Sequence, residues 1–356
     1  MHPRPALHRL LLRRPYPPPT WPAAGPSPTG PPRRKGHLGP WGLVLLGLLW
    51  LAGCASPSSR PVIDRPELLE KLPPVTLAPG ERLRVVATTT IVGDVVAQVG
   101  GEAIQLDVLL PPGIDPHSYR PTPQDLQAVS QAHAIFVNGL GLETFLERVL
   151  QNAPEQVPTI AVSAGITPRL WEDREADAEG PVDPHVWFSV PLVRDHWVPN
   201  IAQALAALDP PRAPTYRANA EQYRQALDRL DREIRALVAT VPPERRILVT
   251  DHDVFGYFAQ EYGFRIVGTV IPSVSTLAEP SARQLARLQE QMEELGVPAI
   301  VVGDTTSPRL VEQLAADLGI QVVTVYTGSL TGPEGPAPTY VDYMRVNVTR
   351  VVAALR

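Results

Sequence analysis

"LRVVATTTIVGDVVAQVGGEAIQLDVLL", residues 83–110, reads as a strand, a helix and a second strand. The β-branched run at 83–88 and the apolar run at 104–110 have strand length, and a helical pattern near 92–99 lies between them. The alternation continues outward, with strands at 134–138 and 159–162 and helices near 122–130 and 143–151. It resumes after residue 243, with strands at 246–250, 264–270, 299–303 and 320–326 and helices near 255–262, 281–295, 308–318 and 339–355. Strands that alternate with helices in this way form parallel sheets covered by helices. The fold class is therefore α/β: two lobes, each a parallel sheet with flanking helices. Between them, Tyr216, Tyr223, Leu227, Leu230, Ile234 and Leu237 form an apolar stripe opposite a charged face. This predicts one long helix within 212–241, roughly 40 Å at 1.5 Å per residue, joining an N-terminal lobe at 82–211 to a C-terminal lobe at 242–356. A single rigid helix allows less hinge motion than flexible connecting strands would.

Upstream, the proline-rich stretch "RPYPPPTWPAAGPSPTGPP" (14–32) has no apolar periodicity and cannot bury a core. Arg33, Arg34 and Lys35 then precede a short apolar run ending in "LAGC", residues 51–54. That run is too short to cross a bilayer core of about 30 Å as a helix, but it has the length of a secretory h-region. "LAGC" resembles a bacterial lipobox, which makes Cys54 the lipidated first residue of the mature chain. It is the only cysteine, so it has no disulfide partner within the chain. Residues 1–53 read as a leader with an unusually long segment before its apolar run, which leaves a start codon further downstream as an alternative, and 54–81 as a Pro/Ser-rich tether.

The leader holds seven basic residues and no acidic ones. Removing those seven from 32 Lys and Arg leaves 25 against 37 Asp and Glu, a balance of −12. Such a chain is not suited to nucleic acid and is compatible with cationic ligands.

Asp-Pro-His occurs twice, at Asp115-Pro116-His117 and Asp183-Pro184-His185. His117 follows the strand at 104–110, and His252 follows the first strand of the second lobe. The carboxyl ends of parallel strands are where ligands bind in open α/β sheets. Proline stiffens each loop, and Asp115 and Asp183 are placed to orient the imidazoles or to cap the turns. Val186, Trp187 and Phe188 would anchor His185 to the N-terminal lobe. His117, His185 and His252 together form a candidate site for Zn²⁺ or a similar ion, whereas Ca²⁺ and Mg²⁺ favour oxygen donors. His133, at the opposite sheet edge, and His196, on a helix face beside Trp197, read as structural.

"VVATTTIVGDVVAQVGGEAIQLDVLLPPGIDPHSYRPTPQDLQ", "FVNGLGLE", "DPHVWFS", "TDHDVFGYFAQEYGF" and "AEPSARQL" resemble, in order, the substrate-binding lipoproteins of bacterial zinc and manganese ABC importers. The resemblance runs from about Arg82 to the C-terminus. It implies two α/β lobes joined by a long helix, with His117 and His185 as ligands from the first lobe and His252 from the second. It also implies an ABC permease and ATPase as partners, with the chain outside the cytoplasm, in a periplasm or on the outer face, and lipid-anchored to the cell membrane. A monomer is expected. Histidine at position 252 leans towards zinc over manganese, which prefers more oxygen. The chain departs from the family at the fourth ligand, because Gly328 stands where many members carry aspartate. Asp251, Asp253 and Asp304 are the stand-ins. Instead of a histidine-rich loop ahead of His185, this chain has an acidic one.

Two other classes compete. Zinc held by three histidines and water is also a hydrolytic design, but no H-E-x-x-H-like arrangement supplies a general base and no G-x-S-x-G elbow is present. The chain is expected not to be an enzyme. A cell-adhesion module using the same fold is the remaining alternative.

Overall fold

A computed structural model describes residues 62–356 except 151, 152, 155, 174–177 and 306–308. The leader, Cys54 and the first residues of the expected tether lie outside the described residues.

Among the described residues, the N-terminal lobe is built on a five-stranded parallel sheet. It comprises β1 (Val62–Ile63), β2 (Leu83–Ala87), β3 (Ile104–Val108), β4 (Ala134–Val137) and β5 (Thr159–Ala161), in the order β1-β5-β4-β2-β3. An antiparallel hairpin follows, β6 (Leu170–Asp173) with β7 (Ala178–Val182). The second lobe has a four-stranded parallel sheet of β8 (Ile247–Thr250), β9 (Arg265–Thr269), β10 (Ala299–Gly303) and β11 (Gln321–Val325), in the order β11-β10-β8-β9. No described helix is long and apolar enough to cross a membrane.

The long helix runs Ala213–Val238. It buries Tyr216, Ala220, Tyr223, Leu227, Leu230, Ile234 and Val238. Val238 replaces Leu237 as the last fully buried position, since a stripe at 3.6 residues per turn drifts around the axis. One continuous core runs from Val85 and Phe136 of the first sheet, through this helix, to Val301 and Val325 of the second. Smaller cores fill the far face of each sheet. Leu227, Leu230 and Ile234 each contribute roughly 1.5–3 kcal/mol by full burial, so the lobes are joined by packing as well as by chain.

Two expectations are corrected. Residues 62–72 are part of the folded lobe rather than tether: Val62 and Ile63 pair in parallel with Thr159 and Ile160, and Leu69 and Leu72 are buried. Two well-placed leucines in a Pro-rich segment suffice to fasten it. The second correction falls on the acidic stretch before His185, expected as an open loop, which forms the β6–β7 hairpin.

Candidate metal site

Segments that follow β3 of the first sheet and the strands of the second sheet meet at one inter-lobe cavity. His117 follows β3, His252 follows β8 with only Asp251 between, and His185 follows the hairpin strand β7. The ring centroids lie 5.4 Å (His117 to His185), 5.5 Å (His185 to His252) and 6.0 Å (His117 to His252) apart. One nitrogen from each ring falls within 4.8 Å of the other two. Nε2 of His117 and Nε2 of His185 are 3.2 Å apart. Nitrogens about 2.0–2.1 Å from a tetrahedral zinc would stand about 3.3 Å apart, so this pair already has the required spacing.

The other ring nitrogens fix the orientation. His185 Nδ1 lies 2.8 Å from Asp183 Oδ1, and His252 Nδ1 lies 3.0 Å from Asp251 Oδ1. An ionised carboxylate only accepts, so each Nδ1–H donates and each Nε2 turns a lone pair to the centre. Asp251 is held in turn by the Gly303 N–H at 2.9 Å. A Cβ on Gly303 would stand 2.4 Å from Thr327 Oγ1 and 3.1 Å from Asp251 Oδ2, so a side chain there would displace Thr327 and crowd this contact.

Burial, and then the neighbouring His185 and His252, push the His117 imidazole down to about 2. At His252 burial also opposes the charge, but the Asp251 carboxylate, as charge and as acceptor, outweighs it and raises the pKa. One imidazole is thus held neutral, and another carries a proton more readily than a free imidazole.

The two Asp-Pro-His segments are not equivalent. In both, the Asp Oδ1 accepts the His backbone N–H, at 2.9 Å for His117 and 3.0 Å for His185, a turn in which the carboxylate caps the peptide two residues on. Asp183 also grips the ring, whereas Asp115 sends its Oδ2 to the Thr276 hydroxyl of the second lobe at 2.6 Å. The other acidic candidates are distributed differently. Asp253 is buried, lies 3.5 Å from Arg169 Nη1, and has its pKa raised by burial. Asp304 is exposed at the end of β10 and accepts the Thr327 N–H at 3.4 Å. Among the described residues, the three-membered group of possible ligands contains no carboxylate.

Trp187, expected to anchor to its own lobe, reaches across: its Nε1–H points to Thr327 O at 3.2 Å and to the Tyr343 hydroxyl at 3.1 Å. Its carbonyl accepts from the Tyr340 hydroxyl at 2.6 Å. His133 accepts the Arg84 N–H at Nδ1 (3.1 Å), at the amino end of β2 and far in the topology from the cleft. His196 is half-buried on a π-helical turn beside Trp197.

Asp115, Pro116, His117, His185, Trp187, His252, Val254, Thr276, Thr305, Thr327 and Gly328 line a small cavity. A Cβ on Gly328 would stand 2.5 Å from Pro116 Cδ. The proline that stiffens the His117 loop therefore fills the place where a side chain at 328 would begin.

Two α/β lobes closing three inward imidazoles at their strand ends define a binding protein for a small cation. The family model described as zinc-uptake complex component A, periplasmic, matches residues 85–354. The chain belongs to that family, the metal-binding substrate-binding proteins of bacterial ABC importers. It is 36% identical over 278 residues to the manganese-binding lipoprotein MntA of Halalkalibacterium halodurans, covering 78% of this chain and 89% of the relative. It is 31% identical over 272 residues to the iron-binding protein YfeA of Yersinia pestis, covering 76% and 86%. The periplasmic zinc-binding protein TroA of Treponema pallidum superposes with a TM-score of 0.71 at 31% identity, covering 77% of this chain and 99% of that one.

Proposed function

We propose that this protein captures Zn²⁺ with His117, His185 and His252 and delivers it to the permease of an ABC importer, whose ATPase drives uptake. The donor set carries this reading: three imidazole nitrogens suit a borderline-soft ion that accepts four ligands, whereas manganese favours carboxylate and water oxygen. The relative named for zinc, TroA, agrees with it. In the cell, the leader that ends at residue 53 directs export and is removed, Cys54 carries the lipid, and the monomeric receptor stands outside the cytoplasm on a tether that ends near residue 62.

The chain's own residues perform capture by presenting lone pairs from fixed rings in a small cavity. The common core through Ala213–Val238 favours small shifts of loops over wide hinge opening. A manganese receptor is the second reading, favoured by the relative named as manganese-binding, MntA. His117→Ala and His185→Ala test the site: each is expected to weaken zinc binding at least about tenfold in competition with a chromophoric chelator. Unchanged affinity in both would remove the assignment.

A further inference from the structure

Arg169 immediately precedes β6 and is chemically silent in the sequence, yet its guanidinium lies behind two of the three imidazoles. Nη1 is 2.9 Å from Asp183 Oδ2 and 3.5 Å from Asp253 Oδ2. Asp183 belongs to the first lobe and holds the His185 ring and backbone through its other oxygen. Asp253 belongs to the second lobe and is the residue after His252. Both carboxylates are buried, and Asp253 Oδ1 has no hydrogen-bond partner among the described residues. Two buried carboxylates, one in each lobe, therefore share one cation.

The place for that cation is shaped by Gly256, the first residue of the helix Gly256–Tyr262. A Cβ there would lie 2.0 Å from Arg169 Nη1 and 2.8 Å from Asp183 Oδ2. The Arg169 backbone N–H donates to the Tyr257 hydroxyl at 2.9 Å, and that hydroxyl donates to the Asp183 carbonyl at 3.1 Å. Helix start, guanidinium and Asp183 are thus one assembly spanning both lobes.

We propose that Arg169 is a positioning residue for the metal site: it ties the Asp183-Pro184-His185 turn to the His252-Asp253 turn across the cleft and so sets the spacing of two ligands, with Gly256 leaving room for it. This rests on the three-histidine reading above. Nη1 alone faces both carboxylates; arginine suits the task because its guanidinium stays charged when partly buried and its rigid plane fixes that nitrogen's direction, which a flexible lysine ammonium does less well. Arg169 immediately precedes the hairpin and Asp183 immediately follows it, and the Asp183 N–H donates to the Arg169 carbonyl at 2.9 Å, so both ends of the hairpin are pinned at one point.

The test uses the folded, metal-stripped protein and four variants: Arg169→Gln, Arg169→Lys, Gly256→Ala and the double variant of Arg169→Gln with Gly256→Ala. Zinc affinity is read by chelator competition, and the visible spectrum of the Co²⁺-loaded protein reports ligand geometry. Arg169→Gln is expected to weaken zinc binding about tenfold to a hundredfold, the range for lost outer contacts of metal ligands, and to change the cobalt spectrum. Gly256→Ala, which retains the arginine but fills its place, should produce the same spectral change and a similar loss. The double variant should lose no more than either single one. Arg169→Lys should recover only part of the affinity. Zinc affinity within twofold of the parent and an unchanged cobalt spectrum in Arg169→Gln would overturn the proposal, as would fully additive losses in the double variant. If Arg169→Gln does not fold, Gly256→Ala alone decides by the same two readouts. Failure of the underlying reading looks different: His117→Ala, His185→Ala and His252→Ala would all bind zinc like the parent.

Discussion

Asp183 Oδ1 lies 2.8 Å from His185 Nδ1 and 3.0 Å from the His185 backbone nitrogen, so one carboxylate oxygen fixes both the ring and the peptide that carries it. Pro184 between them restricts the turn further. The Nε2 nitrogen, which faces His117 Nε2, is therefore fixed in direction.

Asp183→Asn removes the charge that holds the ring and leaves Arg169 with a neutral partner. Zinc affinity should fall about tenfold to a hundredfold with the fold retained, as followed by chelator competition and circular dichroism. Parent-like affinity would mean that the His185 ring is fixed by packing against Trp187, whose ring centroid is 5.2 Å away.

Gly328→Asp tests the missing fourth donor. Because its Cβ would meet Pro116 Cδ at 2.5 Å, the single change should lower zinc affinity and bring no gain for manganese. Gly328→Asp with Pro116→Ala provides the room, and manganese affinity should then rise. A rise in the single variant would show that the His117 loop yields more easily than its contacts suggest.

Protons should compete with the ion at His252. Its pKa is raised in the metal-free protein, so zinc must displace a proton as pH falls through that value, and apparent affinity declines with falling pH. His117, pushed down to about 2, adds nothing in this range. A plot of log affinity against pH should slope by about one from His252 beginning above the free-imidazole value of about 6.5. A plot flat down to that value would contradict the Asp251–His252 pairing.

Leu69→Ala distinguishes a folded segment from a tether. The side chain is fully buried, and such truncations cost about 2–5 kcal/mol. Chemical denaturation of the mature chain should show that loss. A change under about 0.5 kcal/mol, the range of surface substitutions, would return residues 62–72 to the tether.

Much of this was legible in the sequence because it depends on periodicity and local order. The β-branched runs gave the strands, the stripe from Tyr216 to Leu237 gave the long helix, and the position of His117 and His252 just after strands placed them at the carboxyl edge. What escaped depends on contacts between residues far apart in the chain. Asp115 and Asp183 share a tripeptide, yet one turns to Thr276 and the other to a ring. No local pattern distinguishes them. Trp187 and Arg169 act across the lobes, and Gly256 and Gly303 matter for the side chains that approach them, which a lone glycine in a sequence does not reveal. The hairpin before His185 was hidden by its acidic, weakly alternating composition.

The most direct measurement is a competition titration of the metal-stripped mature chain with Zn²⁺ and Mn²⁺ against chromophoric chelators, reading stoichiometry and both affinities. One tight zinc equivalent with much weaker manganese is the predicted result. Tighter manganese, or no stoichiometric zinc site, would contradict a zinc receptor built on His117, His185 and His252.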